Sequence, residues 1–334
     1  MEASFRLLRP EEGGRLSEAI RAAYGETYDV RWVYDPAEVS RRLAAGTYVS
    51  CVAEAPEGEL LCHEGMSLGT ADDAVAHSGQ AVTMPAARGQ HLFTRTKRHL
   101  MEWAAGRGLA GMFSEATAAH PDSQRANVEL GALETGFLLG WIPASVSNDA
   151  AQGAAERVRP RRQSAALFYT KLNDGHERPV YAPPRHREVV ARTVELCRLR
   201  GAPAEPPAGA APPERTELHV EVDADHNLAL LTAAAPGADL AEVVAAERHH
   251  LFHNRNLDAV YLDLPLADPA TALLADSLEP LGLSYAGIFP NPHADGDVLR
   301  LQSLHRARIA PDDLAVASDH GRELLDYVLA DLSR

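Results

Sequence analysis

The chain has 334 residues, 46% of them hydrophobic, a length and composition that suit two globular domains with sizeable cores. Its 47 acidic side chains outnumber 32 basic ones for a net charge of -15, which disfavours a nonspecific grip on a nucleic-acid backbone. Cys51, Cys62 and Cys197 show no CxxC spacing, which argues against a disulfide scaffold or a cysteine zinc site. There is neither a basic-then-apolar leader nor an apolar run of about 20 residues, so a soluble, cytoplasmic protein with no membrane partner is expected.

Phe5 to Leu8 reads as a strand, and Pro10-Glu11-Glu12 as the start of a helix running to about Ala23. A second helix is expected from Pro36, with Asp35 as its N-cap. Tyr48–Ala53 and Leu60–Leu68 read as strands around the hairpin punctuation Pro56-Glu57-Gly58-Glu59. A third strand, Gly79–Met84, ends at Pro85. From Gly89 to Ala105 the pattern becomes helical, with Leu92, Phe93, Thr96, Leu100 and Trp103 on one stripe. Strand Leu109–Ala116, helix Asp122–Leu130, and strands Phe137–Ile142 and Ala165–Leu172 complete a unit of mixed α/β class.

A connecting helix, His186–Leu199, leads into Gly201–Pro213, whose Pro/Ala-rich composition reads as a linker without regular structure. Leu218–Val222 and Asn227–Thr232 form the next strands. The earlier order then recurs as helix Ala238–Asn254, strand Ala259–Asp263, a helix opened by Asp268-Pro269, and strands Tyr285–Phe289 and Val298–Leu304. Phe113-Ser114-Glu115 parallels Tyr261-Leu262-Asp263, and Leu139-Gly140-Trp141 parallels Ala286-Gly287-Ile288. This pattern suggests a divergent internal duplication, with units at 1–175 and 216–334 joined through 176–215.

The segment Val82-Thr83-Met84-Pro85-Ala86-Ala87-Arg88-Gly89-Gln90-His91-Leu92-Phe93 runs from a strand through a short Arg-Gly loop into a helix. The first turn of such a helix presents unpaired N–H groups and the positive end of its dipole, which suits a pyrophosphate. A plain helix start is the alternative.

The segment resembles the acetyl-CoA loop of GNAT acetyltransferases, V-x-P-x-x-R-G-x-G followed by a helix. The order of elements over residues 4–172 is similar to that fold, as are Ser123-Gln124 after His120-Pro121, Leu130-Gly131 and Glu134-Thr135-Gly136. The resemblance implies a tandem GNAT fold with mixed, mostly antiparallel sheets flanked by helices. It implies acetyl-CoA or another acyl-CoA as cofactor and transfer of the acyl group to an amine. Val82 and Met84 would then pair through their backbones with the pantetheine arm, and Arg88, Gly89, Gln90 and His91 would face the pyrophosphate. His91 stands where the family has a small residue.

Acyl transfer requires an amine that loses its proton, a polarised carbonyl and a departing thiolate. Glu115, a lone acid in an otherwise small or apolar strand, and His120, just beyond it, are the candidate bases. A solvated rim for Glu115 and a helix start packing on Pro121 for His120 are the alternatives. Ser123 could bond the cofactor arm or merely finish the helix start. Asn127 aligns with the family's frequent general acid, a Tyr, and Asn cannot usefully donate a proton at neutral pH. Either the thiolate leaves unassisted, another group serves, or catalysis is lost.

The second unit has no Arg-Gly loop, and Asp239 would repel phosphate where its helix begins. That points to a structural copy or an acceptor-side wall. His249 and His253 have metal-ligand spacing, but no carboxylate intervenes, and a solvated helix end reads better. The leading expectation is an N-acyltransferase acting on a small-molecule amine. A non-catalytic CoA-binding regulatory or scaffold module, or an aminoacyl-tRNA-dependent transferase using Arg157–Arg162, are the alternatives. The sequence leaves the acceptor and the oligomeric state open.

Overall fold

A computed structural model describes residues 3–28, 30–70, 73–144, 162–293, 296–306 and 309–334. The first half is built from β1 (Ser4–Leu7), α1 (Gly13–Tyr24), α2 (Pro36–Ala45), the strands β2 (Tyr48–Glu54), β3 (Leu60–Ser67) and β4 (Val75–Thr83), then α3 (Leu92–Gly106), β5 (Gly111–Thr117), α4 (Asp122–Glu129), β6 (Leu133–Ile142) and β7 (Gln163–Lys171). Asp35 caps α2 by accepting from the Ala37 N–H, with Pro36 at the first helical position, as the sequence led one to expect.

Beyond β7 come β8 (Arg178–Val180), α5 (Arg187–Leu196) and β9 (Gly201–Pro203), then β10 (Glu217–Asp223), β11 (Leu228–Ala235), α6 (Leu240–His249), β12 (Ala259–Pro265), α7 (Pro269–Leu274), β13 (Ser284–His293), β14 (Gly296–Leu304) and α8 (Asp319–Leu332). The expectation of a segment without regular structure from Gly201 onward is corrected at its start. Gly201–Pro203 pairs in parallel with Arg178–Val180, and no strand position there requires the amide that proline lacks in a central ladder. The helix between them is also more than a tether, because Val190 and Val194 enter the main core cluster.

Twelve strands form one sheet in the order β1-β2-β3-β4-β5-β7-β6-β13-β14-β12-β11-β10. The order β3-β4-β5-β7-β6 in the first half returns, in mirror sequence, as β10-β11-β12-β14-β13 in the second. In each set one neighbouring pair is parallel, β4 with β5 and β11 with β12. The halves meet where β6 and β13 run antiparallel at Gly136 and Gly287. The corresponding glycines are therefore Gly136 and Gly287, and the sequence pairing of Gly140 with Gly287 is displaced by four residues. Gly140 corresponds instead to Asn291, and both hold left-handed backbone, at φ 68° and 52°. The pairing of Glu115 with Asp263 fits the registers, which place Glu115 opposite Leu167, Asp263 opposite Arg300, and Gly136 and Gly287 opposite those same two partners.

Glycine is required at this joint because a Cβ on Gly136 would stand 2.3 Å from the Ala286 carbonyl oxygen and 2.5 Å from the Gly287 Cα. Buried side chains complete the hydrogen bonding where the ladder is short. Gln302 accepts from the Leu139 N–H at 2.9 Å and donates to the carbonyls of Phe137 and Tyr285, while the Tyr261 hydroxyl donates to Leu139 O at 2.7 Å.

Side chains alternate across the sheet. On one face Val49, Cys51, Met66 and Ala76 pack against Leu100 and Ala104 of α3. On the other, Tyr48, Val52 and Val82 pack against Leu16 and Ile20 of α1 and Val39 of α2. The second half continues the α3 face with α6, whose Leu240 and Val244 join the large core.

Candidate functional site

The parallel strands β4 and β5 pair at only three positions, Val75–Gly111, Ala76–Met112 and His77–Phe113, and then part. The local cause lies in β4. Its register with β3 slips between His63 and Gly65, and Gln80 takes a left-handed φ of 56°, a bulge that bends the strand away from its neighbour. His63 holds the bulge, its Nδ1–H donating to Gln80 O at 2.8 Å while Ser50 Oγ lies 2.7 Å from Nε2. Burial pushes the His63 imidazole down to about 4, so it remains neutral in this role.

The fork opens onto a cavity of about 510 Å³. Two polar pairs flank its apex on opposite faces of the sheet. On the α1 face, His77 Nε2 lies 2.5 Å from Glu115 Oε2. Burial drives the His77 pKa down, but the Glu115 carboxylate outweighs it and the net shift is upward. For Glu115, burial pushes upward, yet His77 and the more distant Arg300 hold the carboxyl below its ordinary value. His77 and Glu115 thus form a hydrogen-bonded acid–base pair facing the cavity.

On the α3 face, Lys97 is buried, its side chain only 3% exposed. Its Nζ donates to Asn127 Oδ1 at 2.6 Å and stands 4.0 Å from Glu64 Oε1, which accepts from Ser78 Oγ at 2.6 Å. Burial raises the Glu64 pKa against the opposing pull of Lys97, and burial lowers that of Lys97 against Glu64.

The remaining walls include Tyr24 at the end of α1, Tyr28 in the segment after it, Phe113, Trp141 and His226. His226 comes from the turn between β10 and β11, so the second half closes the first half's cavity. Arg162 fixes that turn, donating to His226 O and Gly140 O at 2.7 Å each and pairing with Asp258 at 3.2 Å. Asp223 Oδ2 lies 2.6 Å from His226 Nδ1 and orients its ring.

At the other end of the fork lies the start of α3. The helix begins at Leu92 rather than Gly89, because Gly89 and His91 both adopt left-handed backbone, at φ 75° and 53°. Arg95 N–H is the first to bond back, to His91 O, and among the described residues the N–H groups of Gly89 to Thr94 have no backbone acceptor. Successive free N–H groups on a curved backbone at a helix N-terminus make an anion cradle. Arg88, Gly89 and His91 are exposed there, and Gln90 is half-buried.

The structure brings Glu115, Ser123 and Asn127 to the cavity wall. Ser123 Oγ is buried without a hydrogen-bond partner among the described residues. His120 does not line the cavity, and its Nδ1 sits 3.8 Å from Asp122 Oδ2. The expected backbone role of Met84 and Val82 is corrected. Met84 N–H bonds to Leu61 O, so its amide faces β3, and strand alternation turns Val82 the same way. The edge facing the fork belongs to Ala81 and Thr83, and Ala81 O accepts from the Tyr24 hydroxyl.

Arg162 serves the fold, while 157–161 of the basic stretch lie outside the described residues. Arg185 and His186 likewise bond to Asp331 and Tyr327. His249 and His253 lie against each other with tilted rings, centroids 4.5 Å apart, and His253 meets His305 edge-on at 5.1 Å. No helix among the described residues is long and apolar enough to cross a membrane.

Sequence reasoning missed His77, Glu64 and Lys97. Lys97 carried a signal, because it lies four residues after Phe93 and three before Leu100, on the inward stripe.

No family model matches the sequence, and no curated protein does so. Solved structures match about half of the chain. A GNAT superfamily phosphinothricin acetyltransferase from Sinorhizobium meliloti, in complex with acetyl-CoA, is 18% identical, with 52% of this chain and 90% of that chain covered at a TM-score of 0.40. An N-acetyltransferase from Staphylococcus aureus is 12% identical, with 52% and 100% covered at 0.40. The ribosomal-protein-S18-alanine N-acetyltransferase from Escherichia coli is 13% identical, with 53% and 97% covered at 0.39.

Proposed function

We propose that this chain is an N-acyltransferase that moves an acetyl or related acyl group from acyl-CoA to the amine of a small molecule. The fork between β4 and β5 carries the reading. It opens a passage through the sheet, with an anion cradle at one end and an acid–base pair at its apex. The pyrophosphate would sit at the N–H groups of Gly89 to Thr94, where the dipole of α3 favours negative charge. The pantetheine arm would follow the unpaired edge of β4 at Thr83 and Ala81, and Ser123 would offer it a hydroxyl.

The acceptor would enter from the α1 face, between Tyr24, Tyr28, Trp141 and His226. Its aromatic walls and the Glu115 carboxylate suit an amine on an apolar body. Glu115 holds His77 through Nε2, which leaves Nδ1 of the neutral ring to take the amine proton. Nitrogen then attacks the thioester carbonyl, and an N–H on the fork edge of β4 can donate to the developing oxyanion.

Residues 216–334 read as a degenerate copy of the unit at 1–175, with 176–215 packed between them. Here β11 and β12 stay paired over five positions, from Leu228–Ala259 to Thr232–Asp263, so no fork opens. Asp263, the counterpart of Glu115, is locked to Arg300 by two bonds of 2.6 and 2.7 Å. At the start of α6, Asp239 accepts from the Thr216 N–H. The second copy thus supplies an acceptor wall through His226.

Release of free CoA from acetyl-CoA is the test, measured with a panel of aromatic and aliphatic amines. Multiple turnovers with any of them support the reading, and CoA binding without turnover across the panel favours a regulatory module.

A further inference from the structure

The Lys97 cluster is not needed to build the fold. An ammonium group taken out of water is costly unless strong partners receive all of its protons. Here its one hydrogen bond goes to a neutral amide, Asn127, and Glu64 at 4.0 Å is beyond hydrogen-bond distance. Two of the three N–H protons therefore have no acceptor among the described residues, although the group lines the cavity. An apolar side chain would pack on Phe93 and α4 at lower cost.

Its place explains the arrangement. Ser78, which bonds Glu64, directly follows His77, the last residue of β4 to pair with β5. Lys97 therefore stands at the apex of the fork, on the face opposite the His77–Glu115 pair. It is also the sixth residue of α3, about 8 Å along the axis from the anion cradle. An arm running from the cradle along the β4 edge ends between the two pairs.

We propose that Lys97 receives the sulfur of the cofactor, stabilising the CoA thiolate and protonating it when the thioester breaks. The inference rests on the acyl-CoA reading of the fork. In the step, the neutral amine nitrogen bonds to the carbonyl carbon and passes one proton to His77 Nδ1. The carbon–sulfur bond breaks, its electron pair goes to sulfur, and sulfur takes a proton from Lys97 Nζ. Solvent removes the proton from His77 and restores that of Lys97 as the products leave. Asn127 positions the ammonium, while Glu64 and, more remotely, His77 are the titratable groups that face it. The downward shift of the Lys97 pKa by burial makes it a stronger acid than free lysine, in the direction this role requires.

The test is the ionisation of CoA bound to the full chain, followed by thiolate ultraviolet absorbance against desulfo-CoA as blank. The unaltered protein is expected to hold the thiolate at a lower pH than free CoA does. Lys97→Met should reverse this, reducing the thiolate fraction at a given pH by about tenfold or more, as for a thiol that titrates about one pH unit higher. Lys97→Arg keeps a cation and should keep the thiolate, while acyl transfer falls because guanidinium does not release its proton. CoA that binds Lys97→Met and Lys97→Arg and ionises in both as in the unaltered protein overturns the proposal alone. Failure of the unaltered protein to bind CoA overturns the acyl-CoA reading together with it.

Discussion

Gly136→Ala probes the joint on which the whole sheet depends. The new methyl group would stand 2.3 Å from Ala286 O and 2.5 Å from the Gly287 Cα, so β6 and β13 must separate by about 1 Å to restore ordinary contact. Both obstacles are backbone and cannot rotate away. Overpacking of this kind costs about 1–3 kcal/mol, and the bonds of Gln302 to Leu139, Phe137 and Tyr285 loosen with it, each worth about 1 kcal/mol. The expected total is about 3 kcal/mol, read as a fall in the urea midpoint. Gly14→Ala is the control, since nothing lies within 4 Å of its added methyl in α1. It should gain about 0.4–1 kcal/mol through the unfolded chain. If Gly136→Ala unfolds at the same urea concentration as the unaltered protein, β6 and β13 do not meet at these glycines.

Two other substitutions address the paired acids of the two halves. Glu115→Gln removes the charge that raises the His77 pKa and leaves burial to lower it. If neutral His77 is the base, the rising limb of kcat/KM against pH moves to lower pH in this variant, and an unmoved limb excludes His77. Asp263→Ala leaves the buried Arg300 without its bidentate partner and should cost about 3–5 kcal/mol in urea unfolding. Replacing the pair together, with Asp263→Leu and Arg300→Met, should come close to neutral, and an equally large loss would show that Arg300 has a further essential partner.

Much of this architecture is written locally. Asp35 and Asp268 each stand before a proline and each cap the helix that follows, and Pro56 to Glu59 make a hairpin through turn chemistry alone. Glu115 stood out as the single charge in a run of small and apolar residues. Its partner did not, because β4 begins at Val75, and the polar and small residues His77, Ser78 and Gly79 obscure the alternation there. Lys97 was hidden by the basic neighbours Arg95 and Arg98, among which an inward-facing cation looks like another solvated one. The fork is equally silent in sequence, since it follows from a bulge at Gln80 held by the remote His63. The joint between β6 and β13 pairs residues about 150 apart, and only the recurring order of elements hinted at it. The four-residue displacement of Gly140 arose ahead of these strands, where the segment leading from β12 to β13 is three residues longer than the one leading from β5 to β6.

Binding of an acyl-CoA by the first-half fork can be measured by calorimetric titration of acetyl-CoA into the purified protein. Saturable binding at one equivalent is expected, weakened at least about tenfold by Arg88→Glu, which sets a negative charge beside the anion cradle. No heat of binding at millimolar cofactor, or two equivalents bound with equal affinity, would contradict it.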